Sequence, residues 1–76
     1  MPHIIVKIVG KTAEEKERLA AAITRAVIET GQAEEATISV AIIDIEKSDW
    51  VEKVYKPDII AYSDSLYKQP GYDPLP

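Results

Sequence analysis

Apolar and polar positions change period three times along this chain, from about two residues to about 3.6, back to about two and again to about 3.6. Residues 3–9, His3-Ile4-Ile5-Val6-Lys7-Ile8-Val9, form a β-type run. Ile4, Val6 and Ile8 fall on one face, and His3, Ile5, Lys7 and Val9 on the other. Both faces are substantially apolar, the pattern of a strand covered on two sides, as in a parallel sheet or a subunit interface. Gly10-Lys11 breaks the run, and Thr12-Ala13-Glu14-Glu15 fits a capping box at the start of a helix. From there Leu19, Ile23, Ala26 and Val27 recur at helical spacing opposite Glu14, Glu17, Arg18, Arg25 and Glu29. Gly31 is placed to end this amphipathic helix.

After a short acidic connection, Gln32 to Ala36, the run Thr37 to Ile45 is rich in β-branched residues and reads as a second strand. Ile38, Val40 and Ile42 make one apolar face, while Ser39, Ala41 and Ile43 make a smaller, mixed one. A strand, a helix and a strand joined by short loops form a right-handed parallel βαβ unit. The fold class expected is therefore α/β (α+β in some schemes), as a single domain over residues 1–76. One helix covers only one face of such a sheet, so the second face calls for a partner, and a homo-oligomer is expected, its sheets paired by oligomerisation. From Ser48 the period turns helical again, with Ser48 or Asp49 as cap and Trp50, Val51, Val54 and Tyr55 following. Pro57 either ends that piece or starts another carrying Ile59, Ile60 and Tyr62. Beyond Lys68 the tail is too rich in turn formers for regular structure, although Leu66, Tyr67 and Tyr72 have apolar area enough to dock on a neighbour.

Composition narrows the function. At 76 residues the chain buries only about 60% of its unfolded surface, so stability is marginal. It has no cysteine and one histidine, His3, which excludes disulfides, a thiolate metal site and a multi-histidine metal site. Thirteen acidic residues against nine basic give a formal charge of −4, and the basic residues are scattered. Nucleic-acid binding needs clustered Lys and Arg and is disfavoured. No apolar run has the ~20 residues of a membrane span, and no signal core follows a basic amino end, so a cytoplasmic protein is expected.

Candidate chemistry lies at the amino end. Removal of Met1, usual before a small second residue, leaves Pro2 with a free secondary amine at the start of a strand. An α-amino group titrates near ~8 in water, and apolar surroundings lower this towards the range where a general base works best. The alternative is an inert terminus, since many proteins begin Met-Pro without chemical consequence.

Pro2 opening a strand, Gly10-Lys11-Thr12 at the strand-to-helix turn, one βαβ unit, and Trp50 shortly after the second strand together resemble the tautomerase superfamily. The similarity is to its small 4-oxalocrotonate tautomerase-like group. Within it, the Trp50 segment and the ending Lys68-Gln69-Pro70-Gly71-Tyr72 are similar to the phenylpyruvate-type branch called PptA. The resemblance covers nearly the whole chain and rests on the order and spacing of short motifs. It implies keto–enol chemistry without a cofactor, with Pro2 as the catalytic base and a small carboxylate as substrate. Lys11 then matches the family's arginine in the first strand-to-helix turn, as a point charge for a substrate carboxylate in place of a bidentate fork. Trp50 matches the family's aromatic wall. Ser39 stands where better known members carry an arginine that polarises the substrate carbonyl, and offers only a neutral hydrogen bond. This departure favours a smaller or less charged 2-keto or enol acid, such as an arylpyruvate whose ring lies against Trp50.

Two other readings are compatible with the residues. The same proline could serve a hydratase or decarboxylase of a small unsaturated or keto acid, although the strand face with Ser39 and Ala41 lacks the acids or arginines that activate water. A non-catalytic oligomeric binding module would use the aromatic tail for partners. His3 also has a small share in the candidate site. The long segment after Trp50 favours a dimer over a hexamer.

Overall fold

The computed structural model describes residues 1–75; Pro76, the last turn former of the tail, lies outside them. The chain divides into two compact units, residues 1–44 and the segment from Ile45 onward.

The first unit is the βαβ arrangement read from the sequence. Strand β1 (His3–Ile8), helix α1 (Ala13–Glu29) and strand β2 (Ser39–Asp44) follow in order, and the two strands pair in parallel. The register sets His3 opposite Ser39, Ile5 opposite Ala41 and Ile8 opposite Asp44. Strand β2 starts two residues later than its β-branched run for a local reason. Glu35–Thr37 forms a 3₁₀ turn in which the Thr37 and Ile38 amides donate to the carbonyls of Glu34 and Glu35. Ser39 is the first residue with an amide available to the neighbouring strand, and it donates to the carbonyl of Pro2 at 3.2 Å.

Both ends of α1 are fixed by side-chain and backbone caps. The Glu15 amide donates to Thr12 Oγ1 at 3.1 Å and the Thr12 amide to Glu15 Oε1 at 3.0 Å, completing the capping box. At the other end the Gln32 amide reaches the Val27 carbonyl and the Gly31 amide the Ile28 carbonyl, a Schellman motif. That motif needs a left-handed residue, which Gly31 supplies at φ 75°. Gly10, at φ 57°, turns the chain out of β1 in the same way. Lys16 on α1 pairs with Asp44 at the end of β2, which places the helix over the face of Ile4, Val6, Ile8, Val40 and Ile42. On the opposite face Ile5 is 54% and Ile43 41% exposed.

The second unit differs from the sequence expectation in two respects. Neither Ser48 nor Asp49 caps the helical segment: Lys47–Asp49 is a 3₁₀ turn, Trp50 occupies the cap position without a side-chain bond, and Asp49 instead pairs with Lys53 at 3.2 Å. Where the sequence has Pro57 either ending one helical piece or starting another, the outcome is one continuous π-helix, Val51–Ile60, with Pro57 inside it. In an α-helix the proline ring would clash with the carbonyl four residues back, and the wider winding, closed by the Ala61 amide on the Lys56 carbonyl, carries the chain past it. Val54 and Tyr55, 4% and 8% exposed, are the buried residues of this helix. After a 3₁₀ turn at Ser63–Ser65 the tail is irregular, held by Gln69 Nε2 donating to the Ser63 carbonyl at 2.9 Å. No helix among the described residues is long and apolar enough to cross a membrane.

The cap predicts an acid limb to stability. Hydrogen bonds from the Thr12 amide and hydroxyl, with the nearby Lys11 charge, hold the Glu15 carboxyl below its ordinary value of 4.5. A carboxyl depressed on folding adds stability that is present above its unfolded value and is lost as pH falls through the folded one. Glu15→Gln is expected to flatten that part of the acid denaturation curve, and Thr12→Ala to cost about 1 kcal/mol in urea unfolding near neutral pH.

Candidate active site

The residues singled out in the sequence fall into three places. Pro2 and Ser39 meet at the amino end of the sheet, Lys11 stands beyond the other end of β1, and Trp50 belongs to the second unit.

At the amino end, Met1 is fully exposed while Pro2 is half-buried. The Pro2 carbonyl is tied to β2 through the Ser39 amide, so the residue that would carry the free amine is held to the sheet instead of fraying. With Met1 attached, the Pro2 nitrogen is an amide with no basic lone pair; with Met1 removed, it is a secondary amine fixed by its own carbonyl. Beside it, His3 Nδ1 and Ser39 Oγ are 2.7 Å apart, a hydrogen bond across the paired strands. Both side chains are exposed on the face that α1 does not cover. In the sequence these residues are 36 positions apart, and only the strand register reveals the pair.

Lys11 lines a groove of about 310 Å³ with Ile8, Glu15, Lys16, Arg18 and Leu19. Lys16 is engaged by Asp44 and Glu15 by the cap, which leaves Lys11 and Arg18 as the cations that set the groove's charge. The six-residue strand β1 is on the order of 17 Å long, and Pro2 and Lys11 flank its opposite ends. Within one copy of the chain, therefore, these two residues do not reach the same small molecule.

In the second unit, the Trp50 indole N–H donates to the Tyr72 hydroxyl at 2.9 Å. The Tyr72 ring lies against Tyr55, centroids 5.8 Å apart and planes tilted by 43°. Burial and the negative charge of Asp73 push the Tyr55 hydroxyl above its ordinary range, which keeps it protonated. Tyr72 thus packs within its own chain and orients the tryptophan, while Tyr67 is fully exposed.

Residues 2–54 match the family model described as tautomerase enzyme. A probable tautomerase from Xylella fastidiosa is 38% identical over 76 residues, covering 99% of this chain and 93% of the relative. Tautomerase PptA of Klebsiella pneumoniae subsp. pneumoniae is 36% identical, covering 95% of this chain and 97% of its own. Tautomerase PptA of Cronobacter sakazakii is 29% identical over 75 residues. The chain belongs to the tautomerase family, on the side of its PptA branch, and is an isomerase.

Because the chain has a single tryptophan, the Trp50 to Tyr72 bond has a clean optical signature. Tyr72→Phe removes the acceptor and is expected to shift the tryptophan emission and to cost about 1 kcal/mol in thermal unfolding. An unchanged emission spectrum would show that Tyr72 does not hold the indole.

Proposed function

We propose that this tautomerase acts on a small 2-keto or enol acid of the arylpyruvate type, with Pro2, freed by removal of Met1, as its general base and no cofactor. The observation that carries this reading is the tie between the Pro2 carbonyl and the Ser39 amide, which fixes the nitrogen beside a protruding, removable Met1. In the ketonisation direction the Pro2 nitrogen takes the enolic O–H proton. The O–H electron pair closes the carbonyl, and the former double bond takes the proton back at carbon from the prolinium. Ser39, next to the proline, donates a hydrogen bond to the 2-oxygen while charge gathers there.

Lys11 in this reading binds the substrate carboxylate from a second copy of the chain, because β1 separates it from the Pro2 of its own copy. A homo-oligomer, favoured as a dimer, also covers Ile5 and Ile43, two large apolar side chains on the open sheet face. Trp50 serves as the wall against which the aryl ring lies, its indole oriented by Tyr72. Residues 1–76 act as one functional domain.

The test is the ultraviolet decay of phenylenolpyruvate to its keto form. The processed chain is expected to accelerate it, and Pro2→Ala to lower kcat/KM by on the order of 10²- to 10⁴-fold, the range for loss of a positioned base. Lys11→Ala is expected to raise KM with a smaller effect on kcat, and Ile5→Lys with Ile43→Lys to convert the oligomer to monomers in sedimentation. Retention of full activity in Pro2→Ala would contradict the assignment of the base.

A further inference from the structure

Resting on the reading of Ser39 as the group that meets the substrate oxygen, we infer that His3 is the positioning residue that makes Ser39 a donor. A serine hydroxyl has one proton and two lone pairs. If that proton is given to His3 Nδ1, Ser39 turns only lone pairs towards the substrate, and these repel the negative charge that forms on the 2-oxygen. If Nδ1 carries a proton and donates to Ser39 Oγ, the serine proton is free to point outward. The 2.7 Å separation satisfies both directions, and the chemistry of the site selects the second.

Two forms of the ring place a proton on Nδ1: the neutral Nδ1–H tautomer and the imidazolium. Only the neutral Nε2–H tautomer reverses the bond. His3 and Ser39 are fixed opposite one another by the parallel register, and Ile5 and Ala41 follow them on the same face, so the pair sits at the mouth of the sheet with no acidic side chain from the facing strand positions to draw the imidazole away. The arginine that a serine cannot replace by itself is thereby replaced by two residues. One makes the contact, and the other sets its polarity.

The protein has one histidine, so its ring nitrogens are assigned without ambiguity in a long-range proton–nitrogen spectrum. At a pH where the ring is neutral, the wild-type chain is expected to show the proton on Nδ1, and Ser39→Ala to release it to Nε2. In phenylenolpyruvate turnover, His3→Ala is expected to lower kcat by on the order of tenfold with KM little changed, the loss of one neutral hydrogen bond to a forming oxyanion. His3→Asn, whose amide nitrogen lies near the position of Nδ1, is expected to recover most of that loss, and His3→Ala with Ser39→Ala to be no slower than Ser39→Ala alone. A wild-type Nε2–H tautomer overturns the inference, as does full activity in His3→Ala while Pro2→Ala remains inactive, a result that leaves the proline assignment standing. A processed wild-type chain without activity removes both.

Discussion

The parallel pairing of β1 with β2 is the constraint from which the rest follows. Its first bond, the Ser39 amide on the Pro2 carbonyl, holds the amino end of the chain against the sheet, where an unpaired terminus would fray. Its register then sets His3 beside Ser39 and, at the far end, Asp44 where Lys16 of α1 can reach it. The connection between the strands has to be long, because parallel strands cannot be joined by a tight turn, and α1 with its two caps is that connection. The helix covers one face of the sheet, and the other is left with Ile5 and Ile43 in solvent.

The same geometry divides the chemistry. A six-residue strand separates the proline end from the Lys11 end, so a substrate held by both needs two copies of the chain. Marginal burial points in the same direction: in a chain of 76 residues the described side chains with almost no exposure are Val54 and Tyr55, both in the π-helix. For a small chain without cysteine, association is one means of burying more apolar surface. In the proposed reading, catalysis and stability both draw on the pairing of copies.

Much of this was legible in the sequence where local chemistry decides the structure. The capping box at Thr12 and Glu15, the stop at Gly31 and the alternation in residues 3–9 are short-range signals, and the structure shows each of them. Less was legible where a bond partner lies far along the chain or where two local options compete. The 3₁₀ turn at Glu35–Thr37 shortened β2 because it claimed the amides of Thr37 and Ile38, which β propensity does not register. Asp49 reads as a cap by residue type, yet its carboxylate pairs with Lys53. Pro57 reads either as the end of one helical piece or as the start of another, because its ring does not fit the interior of an α-helix, and the wider winding removes that clash. In the candidate site, Pro2 was singled out by residue type and position and Ser39 through the family resemblance, but the His3 to Ser39 bond depends on register, which no single strand contains.

The central claim is that a free proline nitrogen, held by the sheet, is the base. The most direct measurement compares two preparations of the same sequence in phenylenolpyruvate ketonisation, one beginning at Pro2 after Met1 is removed and one retaining Met1, each verified by intact mass. The account predicts catalysis by the first and none by the second, since the retained methionine turns the nitrogen into an amide without disturbing the pairing of β1 and β2. Equal rates from the two preparations would contradict it and place the base on another group.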